Sequence, residues 1–526
     1  MSTLEWPDRL AVGLKKSPLN TWNPTSVLCT AREIITLWVS RMVMFNLYFL
    51  NRLPFRDVFI HAMIQDGHGQ KMSKTLGNGL DPMDVIATHG ADALRFALAQ
   101  MATNTQDVRM PVDMVDPYTG ETFTPKFVTD AAGHTIAAPI QESPKDPKKK
   151  MVSSYGVASG KSKPTADMPL AKNTSGKFDL GRNFCNKLWN AARFVLSQLE
   201  GSAGKVQGSG NAGESKGTGA SISSLNPEPQ TLNPPVDETK WSLADRWIVS
   251  RFNRTVAEVN EAIGNYRFDQ IAKACYDFFW RDFCDWYVEA VKPAMRDPAR
   301  AGQTANVLAA LLDGTLRLLH PITPFITEIL FQRLNEVRPF RGLPGRLECP
   351  TLNPEPRTLN PLLIHAPWPT VGSFAEAAEH IFPKLQEIIG AIRNLRNELK
   401  VQPKQKVDIT ILAPAEPTRQ LTENRELVES LSTVTLKDVG PHVTQPAGAA
   451  RALAAGVEIF LDLGGPAAGD TGLAEKRCAE LKKTAENLRG RLANEAYTKK
   501  APPHLVQQTK DQLAEAEAEM AKLGCK

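Results

Sequence analysis

The sequence predicts a chain of four parts in series: an α/β segment, a bundle of long amphipathic helices, a small α+β domain and a closing antiparallel coiled-coil hairpin. Three patterns predict this. Strand-like runs alternate with helical periodicity over residues 25–110, and apolar residues recur at helical spacing through most of 178–336. Near the end, two stretches step by three and four residues on either side of Ala501-Pro502-Pro503.

The 526 residues suffice for about three or four domains. A hydrophobic fraction of 42% is that of a globular protein, and a net charge of +5 permits a nucleic-acid partner without requiring one. The seven cysteines contain no C-x-x-C pair. They read as reduced, mostly buried thiols of an intracellular protein and argue against structural zinc. Met1 is followed by Glu5, Asp8 and Arg9, which is neither a secretory leader nor an Arg- and Ser-rich transit peptide. The apolar run 37–50 carries Arg41 and Asn46 and falls short of a membrane span, so no membrane is expected. The expected location is the cytoplasm, with an organelle as the alternative.

Residues 1–110 form the α/β part. Residues 25–30 are a short strand, and 33–50 place Ile34, Leu37, Trp38, Met42, Phe45 and Phe49 on one broad helical face. A second strand over 58–64, a glycine-rich loop, and helices over 84–89 and 91–101 follow. Residues 111–176, rich in Pro, Gly, Ser and Lys and containing Lys148-Lys149-Lys150, predict a polar insertion with little core of its own.

Residues 177–372 predict the helical domain, with helices over 183–199, 243–263, 268–295 and 304–335 and low-complexity insertions at 201–240 and 340–362. Two near-copies, LNPEPQTLNP at 225–234 and LNPEPRTLNP at 352–361, lie in these insertions. Their prolines exclude a helix interior, and two distant copies do not make a solenoid, so no function is assigned to them. Residues 373–466 read as α+β, with a helix over 382–399 and strands over 407–412 and 457–463.

Residues 467–526 predict the hairpin. Ala474, Cys478, Leu481, Ala485, Leu488 and Leu492 form one seam; Val506, Thr509, Leu513, Ala516, Met520 and Leu523 form the other. Pro502-Pro503 must break the helix between them. Residues 475–500 hold eight Lys/Arg against four Asp/Glu, whereas 501–526 hold three against four. The basic face with Lys482, Lys483, Arg489 and Arg491 reads either as a solvated coil surface or as a contact for a phosphate backbone.

The chemistry is concentrated in 65–81, QDGHGQKMSKTLGNGLD. Two lysines flank a serine in a loop after a strand, among glycines at 67, 69, 77 and 79. Glycines permit left-handed turns, and lysines approach a polyphosphate as mobile point charges. Such a loop can stabilise charge on a leaving pyrophosphate; a solvated basic turn is the alternative.

Lys71-Met72-Ser73-Lys74-Thr75 resembles the KMSKS signature of class I aminoacyl-tRNA synthetases, and Leu76-Gly77-Asn78 continues it. The flanks, Asp57-Val58-Phe59-Ile60-His61 and His89-Gly90-Ala91-Asp92-Ala93-Leu94-Arg95, match as well. The resemblance implies the remnant of a class I nucleotide-binding (Rossmann-like) domain whose mobile loop closes over ATP. Lys74 and Lys71 would act in catalysis, and Lys71, Met72, Ser73 and Lys74 would bind ATP, with Mg2+ accompanying the nucleotide. Thr75 replaces the usual serine and keeps a hydroxyl.

Several blocks are similar to the valine–tRNA ligase family in particular. Pro24-Thr25-Ser26-Val27-Leu28 leads to Trp38-Val39-Ser40-Arg41-Met42, which in that family lines the amino-acid pocket. Trp38 is a candidate wall, or alternatively a core residue. Ala31-Arg32-Glu33 stands where many members have Gly-Phe-Asp, and Glu33 would hold the substrate ammonium. GRNFCNKLWNAARF at 181–194, the aromatics of 278–287 and His320-Pro321-Ile322-Thr323-Pro324-Phe325 resemble the anticodon-binding helices. Ile392-Arg393-Asn394-Leu395-Arg396 begins a further similar stretch, and the hairpin resembles the family's tRNA arm, where isoleucine enzymes often carry a zinc module.

The resemblance implies ATP-dependent activation of valine and its transfer to tRNA(Val), by a monomer. No His-Ile-Gly-His motif occurs, and the likeness covers only the later half of the family's length, without the editing domain. The chain alone is therefore expected not to form adenylate. The alternatives are a non-catalytic tRNA-binding paralogue and a degraded gene copy. A paralogue that only binds tRNA would not need the lysine loop.

Overall fold

The computed structural model describes residues 18–103, 106–206, 237–338, 341–343, 345–347, 362–446, 448–462, 470–493 and isolated positions from 509 to 520. Both LNPEP copies lie outside these residues. The chain divides into two units, Met1–Glu376 and Ala377–Lys526.

The first unit begins with α1 (Pro18–Trp22) and β1 (Thr25–Ala31). A helical stretch follows, tight over Arg32–Ile34, π-helical over Ile35–Val39 and regular in α2 (Ser40–Leu50). It crosses to β2 (Phe55–His61), which pairs in parallel with β1 in the register Thr25↔Phe55 to Ala31↔His61. This is a βαβ crossover. The single strand expected over 58–64 is two strands, β2 and β3 (Ile64–Asp66).

The apolar face of the crossover helix is open: Leu37 is 59% exposed, Phe45 61% and Tyr48 83%. Because the helix begins at Arg32, Arg32–Leu50 is long and apolar enough to cross a membrane by length and composition, which corrects the expectation that no run reaches that length.

β3 pairs in parallel with β4 (Val108–Met110), and α3 (Pro82–His89) and α4 (Ala91–Met101) lie between them in sequence. Val85, Ala97, Met110 and Phe178 form a core cluster here. Helix α4 joins this segment to the helical domain. The Asp92 carboxylate accepts bonds from the Phe325 and Ile326 amides, and Arg95 donates to the Ile322 and Pro321 carbonyls. Burial pushes the Asp92 carboxyl above its ordinary pKa, against those bonds and Arg95.

The polar insertion expected at 111–176 is a folded, β-rich region, although its core is small. This region holds β5 (Asp113–Val115), β6 (Thr122–Phe123), β7 (Phe127–Thr129), β8 (Thr135–Ala137), β9 (Ile140–Glu142), β10 (Lys150–Val152), α5 (Ser154–Ala158) and β11 (Lys172–Thr174). Met114, Met151 and Ala171 form its core, with Tyr118, Phe123 and Ala137 packed around them. Strands of two or three residues show no readable alternation, which is why composition concealed them.

The helical domain contains α6 (Asp179–Val206), α7 (Leu243–Gly264), α8 (Phe268–Tyr276), a π-helical run Asp277–Tyr287, α9 (Pro298–Leu319) and α10 (Pro324–Val337). The helix expected over 304–335 is broken at His320–Thr323, where Pro321 lacks the N–H of a continuing helix and Pro324 suits the first turn of the next. Phe278, Phe279, Phe283 and Tyr287 are buried in the core of this domain. Asp313 is buried with Arg317 and Arg341, so these charges are paired inside the bundle.

The second unit holds most of α11 (Glu376–Glu398) and a four-stranded sheet ordered β13-β12-β15-β14. Its strands are β12 (Val407–Leu412), β13 (Val434–Gly440), β14 (Ala450–Ala454) and β15 (Val457–Asp462). Helices α12 (Ala415–Glu423) and α13 (Arg425–Ser432) connect β12 to β13. Helix α14 (Asp470–Ala493) follows the sheet.

Candidate functional site

The site begins at the end of β3, where the chain doubles back. The Asp66 amide donates to the Gln70 carbonyl at 2.9 Å, and the Gly69 amide donates to the Asp66 carbonyl at 3.0 Å. Gly69 has φ +81°, a left-handed conformation that favours glycine. Lys71 then bridges Gln65 in antiparallel fashion, so the loop leaves the strand as a tight return.

Asn78 ties the loop together. Its side-chain amide donates to Asp66 Oδ2 at 2.9 Å and to the Lys71 carbonyl at 3.3 Å, and its Oδ1 accepts the Ser73 amide at 2.9 Å. Ser73 Oγ accepts the Leu76 amide at 3.1 Å. The Gly77 amide closes the turn on the Lys74 carbonyl at 3.2 Å. Asp66 also accepts from the amides of His68 and Gln70 and from Gln70 Nε2. Burial alone would raise the Asp66 pKa, but the bonds from Asn78, Gln70 and His68 outweigh it and hold the carboxyl below its ordinary value.

On this frame Lys71, Lys74 and Thr75 are exposed at the tip. Met72 points the other way and packs against the cluster of Val85, Ala97, Met110 and Phe178. Of the four residues expected at ATP, Met72 thus anchors the loop through its side chain. Ser73 spends its acceptor on the turn and keeps an O–H to donate.

Glu33, expected at a substrate ammonium, lies with its Oε2 3.3 Å from Lys71 Nζ. Both partners are substantially exposed, so the pair contributes less than about 1 kcal/mol and is easily exchanged for another anion. Trp38 is 47% exposed on the open face of the crossover helix and is not a core residue of the described chain. Neighbouring Arg32 pairs with Asp107 at 2.6 Å, and Asp107 also accepts from the Met63 amide and Gln65 Nε2.

On α14, Leu481, Ala485 and Leu488 are buried, as is Thr509, and Lys482, Lys483 and Arg489 are exposed. Arg489 pairs with Glu517 at 2.6 Å. The Arg491 side chain lies outside the described residues. Among the described residues no group of three or more His, Cys, Asp or Glu is arranged to hold a metal ion. Burial pushes the thiols of Cys185, Cys275 and Cys284 up to about 12, so they are not reactive thiolates at neutral pH.

Three family models match in chain order. "tRNA synthetases class I (I, L, M and V)" covers residues 1–111, "Anticodon-binding domain of tRNA ligase" covers 245–411, and "Valyl tRNA synthetase tRNA binding arm" covers 474–525. A valine–tRNA ligase of Rhodopirellula baltica is 33% identical over 98% of this chain and 45% of its own length. One from Neisseria meningitidis serogroup B is 32% identical over 99% of this chain and 47% of its own. The chain belongs to the valine–tRNA ligase family. It matches the C-terminal portion of valine–tRNA ligases and spans about half the length of the curated relatives. A solved methionyl-tRNA synthetase of Mycobacterium tuberculosis in complex with methionyl-adenylate aligns with 63% of this chain and 47% of its own at 14% identity and a TM-score of 0.38. The three matched segments leave 112–244 and 412–473 uncovered by any of the models, and the β-rich region lies in the first of these gaps.

The lysines lie in a local sequence motif; most of their supports do not. Asn78 carried a signal, since it follows Leu76-Gly77 in the extended motif. Asp66 and Gln70 carried none beyond position, and Asn173, 94 residues from Gly79, carried none at all.

Proposed function

We propose that this chain is the later half of a valine–tRNA ligase. In the first reaction a valine carboxylate oxygen attacks the α-phosphorus of ATP, the bond to pyrophosphate breaks, and valyl-adenylate forms. Lys71 and Lys74 place positive charge beside the developing charge on the leaving pyrophosphate. Mg2+ travels with the substrate, on the ATP phosphates. Arrival of ATP releases Lys71 from Glu33, which frees that carboxylate for the ammonium of valine; Trp38 walls the pocket. In the second reaction a terminal hydroxyl of tRNA(Val) attacks the adenylate carbonyl and AMP leaves.

The helical domain receives the anticodon stem, where unpaired bases stack on exposed planar side chains. The last segment forms a coiled-coil hairpin whose basic face, with Lys482, Lys483, Arg489 and Arg491, follows the tRNA backbone. The burial of Leu481, Ala485, Leu488 and Thr509 and the Arg489–Glu517 pair support that geometry. The apolar helix 32–50 is read as a domain-packing face, not a membrane span. Arg32 and Glu33 pair with Asp107 and Lys71, and the helix is the crossover of a parallel strand pair. The protein is proposed to act as a cytoplasmic monomer.

The observation that carries this reading is the exposed pair Lys71 and Lys74 on a loop built over the Asp66–Asn78 frame. Valine-dependent ATP–pyrophosphate exchange tests it. The chain alone should show none, because its half-site leaves the crossover helix uncovered. Joined to the first half of the Rhodopirellula relative it should show exchange, lost in Lys74→Ala. Turnover by the chain alone overturns the half-site reading. Full exchange in the joined Lys74→Ala protein overturns the role of the loop.

A further inference from the structure

We infer that the β-rich region, strands β5 to β11, is a brace that positions the lysine loop, with Gln70 and Asn173 as its positioning residues. Both stems of the loop are pinned to it. On the incoming side, Gln70 Nε2 donates to the Thr135 carbonyl at 2.6 Å and Gln70 Oε1 accepts the Thr135 amide at 2.8 Å. This is a two-way amide bond that reads β8 as a neighbouring strand would. The His68 ring meets Phe127 of β7 edge-on, with centroids 4.6 Å apart.

On the outgoing side, Asn173 of β11 donates from Nδ2 to the carbonyls of Gly77 at 2.9 Å and Gly79 at 2.8 Å. Two carbonyl acceptors leave no doubt about which end of that amide faces the loop. Asn173 is 5% exposed, so these bonds are made away from bulk water. Gly77 also seats on the start of α5: a Cβ there would stand 2.3 Å from the Tyr155 amide nitrogen. Its φ of +57° adds a second reason for glycine at this position.

The tip is treated differently. No bond joins Lys71, Lys74 or Thr75 to strands β5–β11 among the contacts described. A region whose composition suggested a passive insertion therefore holds both stems of a loop and leaves its charged tip to move. In the reading proposed above, on which the significance of the brace rests, the tip closes over ATP while the brace fixes where the two lysines start and how far they travel.

The test is hydrogen exchange on the full chain without nucleotide, so the outcome does not depend on whether the loop binds ATP. The readouts are the amides of Ser73, Leu76 and Gly77 at the loop and those of the strands around Met114 and Met151 in the brace. Asn173→Ala and Gln70→Ala should each speed exchange at the loop by about tenfold per hydrogen bond lost, with the Met114 and Met151 strands unchanged. Asn173→Leu keeps the side-chain volume and loses the donor, so it should behave as Asn173→Ala does. A packing role would be preserved in it. Gly77→Ala should speed loop exchange as well. Unchanged loop exchange in Asn173→Ala and Gln70→Ala overturns the inference. So does a protected loop in Asn173→Leu, or loop exchange that rises only together with that of the Met114 and Met151 strands.

Discussion

Replacing Asn78 by alanine removes three hydrogen bonds at once, and its effect can be worked from the distances. The bond to the Asp66 carboxylate at 2.9 Å has a charged acceptor and contributes about 1.5 kcal/mol or more. The bond from the Ser73 amide at 2.9 Å contributes about 1 kcal/mol, and the 3.3 Å bond to the Lys71 carbonyl about half of that. The sum is about 3 kcal/mol of local stability, which enlarges the open population of the loop about a hundredfold. Limited trypsin digestion reads this directly, because Lys71 and Lys74 are the cleavage sites and cleavage follows the open population when reclosing is fast. Cleavage after these lysines should rise about a hundredfold in Asn78→Ala, with the helical circular dichroism signal retained. Asn78→Asp should be at least as severe, since it sets a second carboxylate beside Asp66. Cleavage within about threefold of the unaltered chain would refute the claim that Asn78 holds the loop.

Three other outcomes follow. The folded-state pKa of Asp66 lies below its ordinary value, so its contribution to loop order is present above the unfolded pKa and is lost as pH falls through the folded one. In an acid titration the amides of Ser73 and Gln70 should lose exchange protection before those of Met151 do; simultaneous loss would contradict this. Asp92→Ala removes the acceptor for the Phe325 and Ile326 amides at the start of α10 and should cost about 1–2 kcal/mol in chemical denaturation of the first unit, with Asp92→Asn recovering part; no shift would contradict the capping role. Lys482→Glu with Lys483→Glu should weaken tRNA binding and flatten its dependence on log salt by about two units or more, and an unchanged slope would remove these residues from the interface.

Much of the fold was legible because its signals were long. The helices α7 and α11 present apolar faces over several turns, α9 is a largely apolar run buried on every side from Thr304 to Leu319, and β12 and β15 bury every second residue, Val407, Ile409 and Ile411 and Val457, Ile459 and Leu461. The split of β2 from β3 was not legible, since 58–64 reads as one apolar run. The π-helical run Asp277–Tyr287 was not legible either, because one extra residue per turn leaves a nearly helical pattern. The β-rich brace was missed for a different reason. Its strands are two or three residues long, and its core is a few scattered apolar side chains.

At the site, the lysines and glycines announced themselves through local chemistry. The Glu33–Lys71 pair and the Asn173 bonds join residues 38 and about a hundred positions apart. No local pattern encodes such a distance. The apolar spacing of 33–50 gave a helix, but in the described chain Leu37, Trp38, Phe45 and Phe49 are exposed and the buried residue of the stretch is Val39.

The proposed function makes this chain the tRNA-recognising and ATP-loop half of a valine–tRNA ligase. The most direct measurement is the dissociation constant of the full chain for tRNA(Val) against tRNA(Met) at fixed salt. Tighter binding of tRNA(Val) by about tenfold or more is expected, which corresponds to about 1.4 kcal/mol or more of discrimination by the anticodon contacts proposed above. Equal affinity for the two, with binding that follows salt alone, would contradict it.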